Sequence, residues 1–365
     1  MEANTTAANH FSQGSVTMIR AERNRAREMV ILLQDAARWM ESNGIKQWTP
    51  SQFTEADIMN YFEDREVYLA LDNDEIIGMF TLQFSDPQYW GTRNDDSYAY
   101  LHRLTVARSY RGAGLGSYML QFAADLAIEK GCKGLRFDTV AHNIKLNGYY
   151  QSLGFHYMGT NDMGGGRLVN LYEKFNDSGD DDEILLRYFR EEDFGYLKKW
   201  SVSSEYLKQW AGPSLSFPIE DQELDKYMTD SNHPANSNFL IYSAVHKATG
   251  EVIGHISLAA IDRLNRSARV GRVVMDPDYR GRGIGLRMMK ELLRIAFESL
   301  ELHRISLGVY DFNTSAIKSY EAAGFRREGI HREVALFSSG YVDCIEMSIL
   351  DREWEEIQNS MVSDL

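Results

Sequence analysis

Three separated motifs of this 365-residue chain occur twice, in the same order. Glu75-Ile76-Ile77-Gly78 returns as Glu251-Val252-Ile253-Gly254. Tyr110-Arg111-Gly112-Ala113-Gly114-Leu115-Gly116 returns as Tyr279-Arg280-Gly281-Arg282-Gly283-Ile284-Gly285. Asn143, Tyr150 and Gly154-Phe155 return with identical internal spacing as Asn313, Tyr320 and Gly324-Phe325. The offsets are 176, 169 and 170 residues. A period that long is no solenoid, whose repeats run to about 50 residues. It marks two copies of one domain, and the length alone suggests two domains at roughly 150 residues each.

Charge places the join. The net charge is −14, and residues 176–183 (Asn-Asp-Ser-Gly-Asp-Asp-Asp-Glu) hold five acids and no base. A stretch with nothing apolar to bury and a glycine inside reads as an acidic linker. The expected organisation is a flexible tail over 1–17, a first domain over 18–175, the linker over 176–183 and a second domain over 184–365. An acidic chain disfavours non-specific nucleic-acid binding. No run of about 18 apolar residues is present to span a membrane, and the polar N-terminus lacks the apolar centre of a secretory signal. The two cysteines, Cys132 and Cys344, have no partner at metal-ligand spacing. No metal site is expected, and a reducing cytoplasm fits.

Each copy carries the same coarse order. Helical stretches at 19–42 and 54–62 precede strands at 67–72, 75–84 and 98–106; the second copy repeats this at 188–210, 219–229, 239–246, 251–259 and 267–275. The third strand runs into the glycine-rich turn and then a helix. Leu115, Met119, Phe122 and Leu126 line one face of the first such helix, and Ile284, Met288, Leu292 and Ile295 line the second. A strand (134–140; 304–310), a short helix (143–152; 313–322) and final strands follow. The order predicts an α+β fold in α/β/α layers, a mixed and mostly antiparallel sheet covered by helices.

The turn between strand and helix carries the chemistry. Its glycines let the backbone approach a ligand closely, and the helix behind it offers unpaired N–H groups and a positive dipole end. A pyrophosphate suits it, with Arg111, Arg280 and Arg282 adding charge. A tight turn without a ligand is the alternative, weakened because the turn occurs twice with its companions. A dinucleotide fold would want the motif after the first strand, and a phosphate-binding P-loop would end in Gly-Lys-Ser/Thr. Neither copy complies.

These residues resemble the GCN5-related N-acetyltransferases: Arg-x-x-Gly-x-Gly after a strand, then an Asn, a Tyr and Gly-Phe, in both copies. The resemblance implies two tandem domains, each with a twisted sheet splayed into a V that holds acetyl-CoA. Arg111, Gly112, Ala113, Gly114, Leu115 and Gly116, with Arg280, Gly281, Arg282, Gly283, Ile284 and Gly285, would hold the pyrophosphate. Leu104, Thr105 and Val106, and Val273, Val274 and Met275, would bond the pantetheine arm, with Asn143 and Asn313 further along it. The second copy resembles the branch that acetylates N-termini of ribosomal proteins. The first is more similar to small-molecule acetyltransferases.

The implied reaction is attack of an amine on a thioester. Tyr150 and Tyr320 stand where the family keeps a tyrosine acid, with a packed core aromatic as the alternative. Much of the family places a glutamate base on the third strand. That position is Tyr100 in one copy and Arg269 in the other. Two residues on, the same strand face carries His102 and Gly271. His102 resembles one of the paired histidines of arylalkylamine acetyltransferases and is tuned for proton transfer near pH 7; it reads equally as a packed strand histidine. The expected activity is transfer of acetyl to a primary amine of a small molecule in a ternary complex. Acetylation of a protein N-terminus by the second copy, or a non-catalytic CoA-binding role for one copy, stay open. A small amine or peptide N-terminus is the expected partner, for a monomer or homodimer.

Overall fold

The computed structural model describes residues 8–11, 14–45, 47–175, 184–247 and 249–363. The acidic linker, 176–183, lies outside the described residues. The chain divides into two units: Met1–Val140 with Met163–Asn176, and Ala141–Asp162 with Asp177–Leu365.

In chain order the first part runs β1 (Ala8–Phe11), β2 (Gly14–Arg20), α1 (Ala26–Ser42), α2 (Glu55–Asp64), β3 (Glu66–Asp72), β4 (Glu75–Gln83), α3 (Pro87–Trp90), β5 (Ala99–Val106), α4 (Leu115–Glu129), β6 (Gly134–Val140), α5 (Ile144–Ser152), β7 (His156–Asp162) and β8 (Leu168–Phe175). The second runs β9 (Ile184–Tyr188), α6 (Phe194–Trp200), α7 (Ser204–Ala211), α8 (Asp221–Met228), β10 (Leu240–His246), β11 (Val252–Asp262), β12 (Ser267–Met275), α9 (Ile284–Arg294), β13 (Arg304–Tyr310), α10 (Thr314–Ala322), β14 (Arg326–Phe337), β15 (Gly340–Leu350) and α11 (Asp351–Ser363). Each copy therefore opens with a strand that the sequence reading merged into a helix or tail. β2 pairs with β3 and buries Val16 and Met18; β9 pairs with β10 and is buried throughout. Both strands are short and lead straight into helical sequence, which hides their period. Within the stretch read as a tail, β1 pairs antiparallel to β2. The single helix expected over 188–210 is two helices, α6 and α7, because Ser201 and Val202 leave the helix and Ser203 caps a new one through Tyr206 N.

The first unit's sheet has the order β1-β2-β3-β4-β5-β6-β8, the second's β14-β15-β13-β12-β11-β10-β9. All of these pairs are antiparallel except one in each sheet. β5 meets β6 in parallel only at Ala99↔Leu135 and Tyr100↔Arg136. β12 meets β13 in parallel only from Ser267↔Arg304 to Arg269↔Ser306. Beyond those short contacts the two central strands part, which is the expected V. A bulge opens it. The β4–β5 register shifts between Met79 and Thr81, and the β11–β12 register between His255 and Ser257. The bulged residues, Arg103 and Arg272, take φ of 56° and 49°, a left-handed setting that costs about 1–2 kcal/mol for a residue with a side chain. Aromatic rings hold both. Arg103 lies 5.5 Å from Trp48 and from Phe53, and Arg272 lies 4.2 Å from Tyr227; such cation–π contacts offset the strain.

Helices α1 and α2, with Phe53 of the connection between them, close one face of the first sheet through Met29, Leu33 and Ile58 against Leu69 and Met79. In the second unit Leu197, Trp200, Leu207 and Leu224 pack on Ile241 and Val274. Gly78 and Gly254 explain the first repeated motif. A Cβ on Gly78 would lie 2.7 Å from Met119 Sδ and 3.1 Å from Thr105 O, and one on Gly254 would lie 3.1 Å from Met288 Sδ. Helices α4 and α9 thus sit close on the strand: a Cβ would force Met119 to shift at the first point and press on Met288 at the second. The 141–162 segment is packed into the second unit. Gln151 Oε1 accepts from Tyr188 N at 2.9 Å, Ser299 Oγ donates to Tyr157 O at 2.6 Å, and His156 Nδ1 meets Glu291 Oε1 at 3.0 Å.

Candidate active site

The glycine turns form the base of each site. Gly112 and Gly114 take φ of 78° and 84°, and Gly281 and Gly283 both take 77°. Gly114 caps α4 and Gly283 caps α9. Tyr118 N bonds Gly114 O at 3.1 Å, and Arg287 N bonds Gly283 O at 3.2 Å. The N–H groups before Tyr118 belong to the first turn, which lies ahead of the helix's own bonding pattern; in the second copy Leu286 N already bonds Gly283 O at 3.1 Å. A Cβ on Gly112 or Gly281 would meet nothing within 4 Å. The loop is therefore bare because the space in front of it is open, and packing does not require these glycines. That is the geometry of an anion cradle. Arg111 lies 4.0 Å over the Trp39 ring. Burial, with Arg108 nearby, lowers its guanidinium pKa, a shift that an anion would reverse. Arg280 donates to Tyr206 Oη, and to Met275 O at 3.3 Å; Arg282 lies 5.4 Å from the Tyr279 ring.

The strand ends reach these turns. Val106 Cγ2 is 3.8 Å from a Cβ placed on Gly116, and Met275 Sδ is 3.1 Å from one placed on Gly285. Thr105 and Val106 bond β4 on one side, while their β6 side lies past the last β5–β6 pair. Leu104–Val106 and Val273–Met275 thus each present a strand edge to the V, which can pair with an extended amide chain. In the second unit Ser319 Oγ lies 3.9 Å from the same point above Gly285, so α10, which carries Tyr320, flanks the turn.

Asn143 and Asn313 are helix caps. Their Oδ1 atoms accept from Leu146 N at 3.1 Å and Ala316 N at 3.4 Å, which leaves the amide nitrogen for any contact with a ligand. Tyr320 is half-buried against Phe325, and burial pushes its hydroxyl up to about 12. It stays protonated near neutrality, as a proton donor must. Tyr150 is half-buried on α5, with its ring 5.8 Å from that of Tyr149. Tyr150 and Asn143 lie in the 141–162 segment, which groups with the second unit by contact although the repeat assigns it to the first copy.

On the third strand the copies differ. Tyr100 is fully buried; its hydroxyl accepts from Asp95 N at 2.8 Å and from Arg136 Nη1 at 3.1 Å. It is a packing residue beside the buried Arg136–Glu173 ion pair. His102 is different. Asp86 Oδ2 lies 3.0 Å from its Nε2 and Asp138 Oδ1 lies 3.6 Å from its Nδ1. These three side chains bring one ligand atom each within 4.8 Å of one another. Asp86 and Asp138 lie 52 positions apart in a loop and a strand, and the fold brings both to one ring. In the second copy Arg269 binds Glu346 of β15 with both guanidinium nitrogens, Nη2 at 2.7 Å from Oε2. That carboxylate, from the far end of the chain, was the group sequence reading missed. Both Glu346 oxygens are held by Arg269.

The sequence profile of the Acetyltransferase (GNAT) family matches residues 31–155 and again 201–325. The chain belongs to the GNAT acetyltransferase family. A spermidine N(1)-acetyltransferase of Vibrio cholerae is 26% identical over 173 residues, which is 47% of this chain and 95% of that protein. A putative ribosomal N-acetyltransferase of Bacillus subtilis is 33% identical over 106 residues, 29% of this chain and 57% of that protein. The crystal structure of a Vibrio cholerae spermidine N-acetyltransferase with CoA and spermine aligns at a TM-score of 0.41 and 24% identity, over 47% of this chain and 97% of that one. This GNAT chain is thus a tandem N-acetyltransferase that uses acetyl-CoA and acts on an amine. Among the described residues no helix is long and apolar enough to cross a membrane.

Proposed function

We propose that this GNAT chain transfers acetyl from acetyl-CoA to a primary amine of a small molecule by direct attack in a ternary complex, and that the first copy carries most of the turnover. The observation that carries the reading is His102, an imidazole on the splayed strand between two carboxylates. An alkylammonium with a pKa near 10 cannot attack until it loses a proton, and a histidine in the cleft is suited to take it. Backbone N–H groups of the Leu104–Val106 edge are placed to stabilise the thioester oxygen as charge develops. Tyr150 in the first copy and Tyr320 in the second are the proposed acids for the departing thiolate. The diphosphate rests on 111–116 and 280–285, and the pantetheine on the two strand edges and the caps Asn143 and Asn313. The spermidine acetyltransferase among the relatives supports a small cationic acceptor.

A second reading assigns the second copy to a peptide N-terminus. The putative ribosomal acetyltransferase favours it, and so does Gly271, which leaves that strand position without an imidazole. The capture of Glu346 by Arg269 favours instead a copy that binds CoA without turnover. An amine panel (polyamines, aminoglycosides, amino acids, short peptides) scored by free thiol release separates these readings. The proposal expects a small amine to win and His102→Ala to remove its turnover between pH 6 and 9. Full turnover in that variant would remove the role given to His102, and turnover on peptides alone would favour the second reading.

A further inference from the structure

We infer that Asp86 and Asp138 complete the acceptor site of the first copy: Asp86 is the positioning residue for His102, and Asp138 is the seat of a cationic primary amine. The inference rests on the acetyltransferase reading above and adds the class of acceptor and two residues.

The three side chains come from separate elements, the loop before α3, β5 and β6. The carboxylates face opposite nitrogens of one ring. A single metal ion would meet only one of those nitrogens, whereas protons can occupy both, so the arrangement suits proton handling. Burial then divides the roles. Asp86 is 3% exposed. Its Oδ1 accepts from Tyr89 N at 3.4 Å, and its N–H donates to Asn94 Oδ1 at 2.6 Å, which anchors it from behind. Its Oδ2 and His102 Nε2 are both shut from solvent, close but not aligned as a hydrogen bond. Nε2 is thus closed to an acceptor, which leaves Nδ1, the nitrogen beside Asp138, as the one a substrate can reach. A carboxylate on Nε2–H places the lone pair on Nδ1, the logic of an acid that orients a histidine base. Loose alignment in the unliganded site is ordinary for catalytic hydrogen bonds, which tighten when substrate binds.

Asp138 stands beside Nδ1, its side chain 12% exposed. Burial raises its carboxyl pKa, His102 opposes, Asp86 adds to the rise, and Arg167 and Arg103 oppose again. The remaining neighbours are the Tyr89 ring, 5.5 Å from the imidazole and in contact with Arg167, and Thr81, whose hydroxyl bonds His102 O. Arg167 and Arg103 act on Asp138 from further off, and with Asp86 turned to Nε2 the carboxylate beside Nδ1 is the group that a guest's positive charge would meet there. The step balances as follows. The ammonium gives one proton to His102 Nδ1; the amine forms the new C–N bond as the C–S bond breaks; the proposed acid protonates the thiolate and regains its proton from the second nitrogen-bound one, giving the acetamide, CoA thiol and imidazolium.

The test uses the full chain with the second turn blocked by Gly281→Asp. His102 ring nitrogens are followed by NMR, and kcat and KM are measured across pH for a primary alkyl diamine. In the unsubstituted site the neutral imidazole is expected as the Nε2–H tautomer. Asp86→Asn should shift the tautomer balance and lower kcat about 100-fold, with partial recovery in Asp86→Glu. Asp138→Asn should raise KM for the diamine about 10- to 100-fold and leave KM for acetyl-CoA alone. Should Asp86→Asn fail to fold, the tautomer in the parent chain and in Asp138→Asn decides the matter: an Nδ1–H imidazole overturns the inference. It is also overturned if Asp86→Asn keeps its kcat and pH profile and Asp138→Asn keeps its KM. If His102→Gln is inactive in that case, the acetyltransferase reading survives. If His102→Gln is fully active, the reading of His102 fails and this inference fails with it.

Discussion

Replacing Gly112 with alanine separates the ligand role of the turn from its structural role. The residue sits at φ 78°, and a Cβ there meets nothing within 4 Å. The substitution therefore costs left-handed strain of about 1–2 kcal/mol and no steric clash. For a unit of this size that lowers the melting temperature by roughly 2–4 °C per kcal/mol. The ligand pays differently. A hydrogen bond from backbone N–H to a charged oxygen is worth about 1.5–3 kcal/mol, so a methyl that blocks one such contact raises the KM for acetyl-CoA roughly 10- to 150-fold. Free-thiol release against acetyl-CoA concentration, with a melting curve beside it, reads both effects. Gly281→Ala repeats the experiment in the second copy. A Gly112→Ala, Gly281→Ala double variant that melts a few degrees lower yet keeps its KM within two-fold would refute the diphosphate cradle.

Three further outcomes follow from the same geometry. Tyr320→Phe, read in the Gly112→Asp background, should slow thiol release by about 100-fold; because burial lifts the hydroxyl to about 12, the parent rate should show no loss of this acid below about pH 10. Gly78→Ala drives a methyl to 2.7 Å from Met119 Sδ and should cost about 1–3 kcal/mol in denaturant melts; no change would mean that α4 sits looser on the sheet than described. Burial raises the Glu291 carboxyl, but Arg294 at 2.8 Å and His156 at 3.0 Å outweigh it and hold the group below its ordinary 4.5. A depressed folded pKa stabilises above the unfolded value and is lost as pH falls, so the second unit should lose melting temperature below about pH 4.5, and Glu291→Gln should flatten that fall.

The duplication and both glycine turns were legible because each rests on local pattern: glycines at fixed offsets, a strand period, a helix face; the central V followed only from the resemblance to the acetyltransferase family. The opening strands β2 and β9 were not, since five to seven residues merging into a helix show no period of their own. The site was half legible. His102 could be named from its place on the strand, whereas its partners lie in other elements and only the folded sheet brings them to one ring. Tyr100 shows the converse. It stands where the family resemblance places a glutamate base, and the Arg136 guanidinium 3.1 Å away makes it part of the core. Glu346 became visible only when β15 was paired with β13, Gly308 opposite it.

The account stands on two seats for one nucleotide thioester in a single polypeptide. Isothermal titration of the full chain with CoA measures this most directly. Two equivalents bound per chain, falling to one with Gly112→Asp and to none with Gly281→Asp added, is the predicted result; a parent chain that takes up no CoA, or one whose uptake ignores both substitutions, contradicts it.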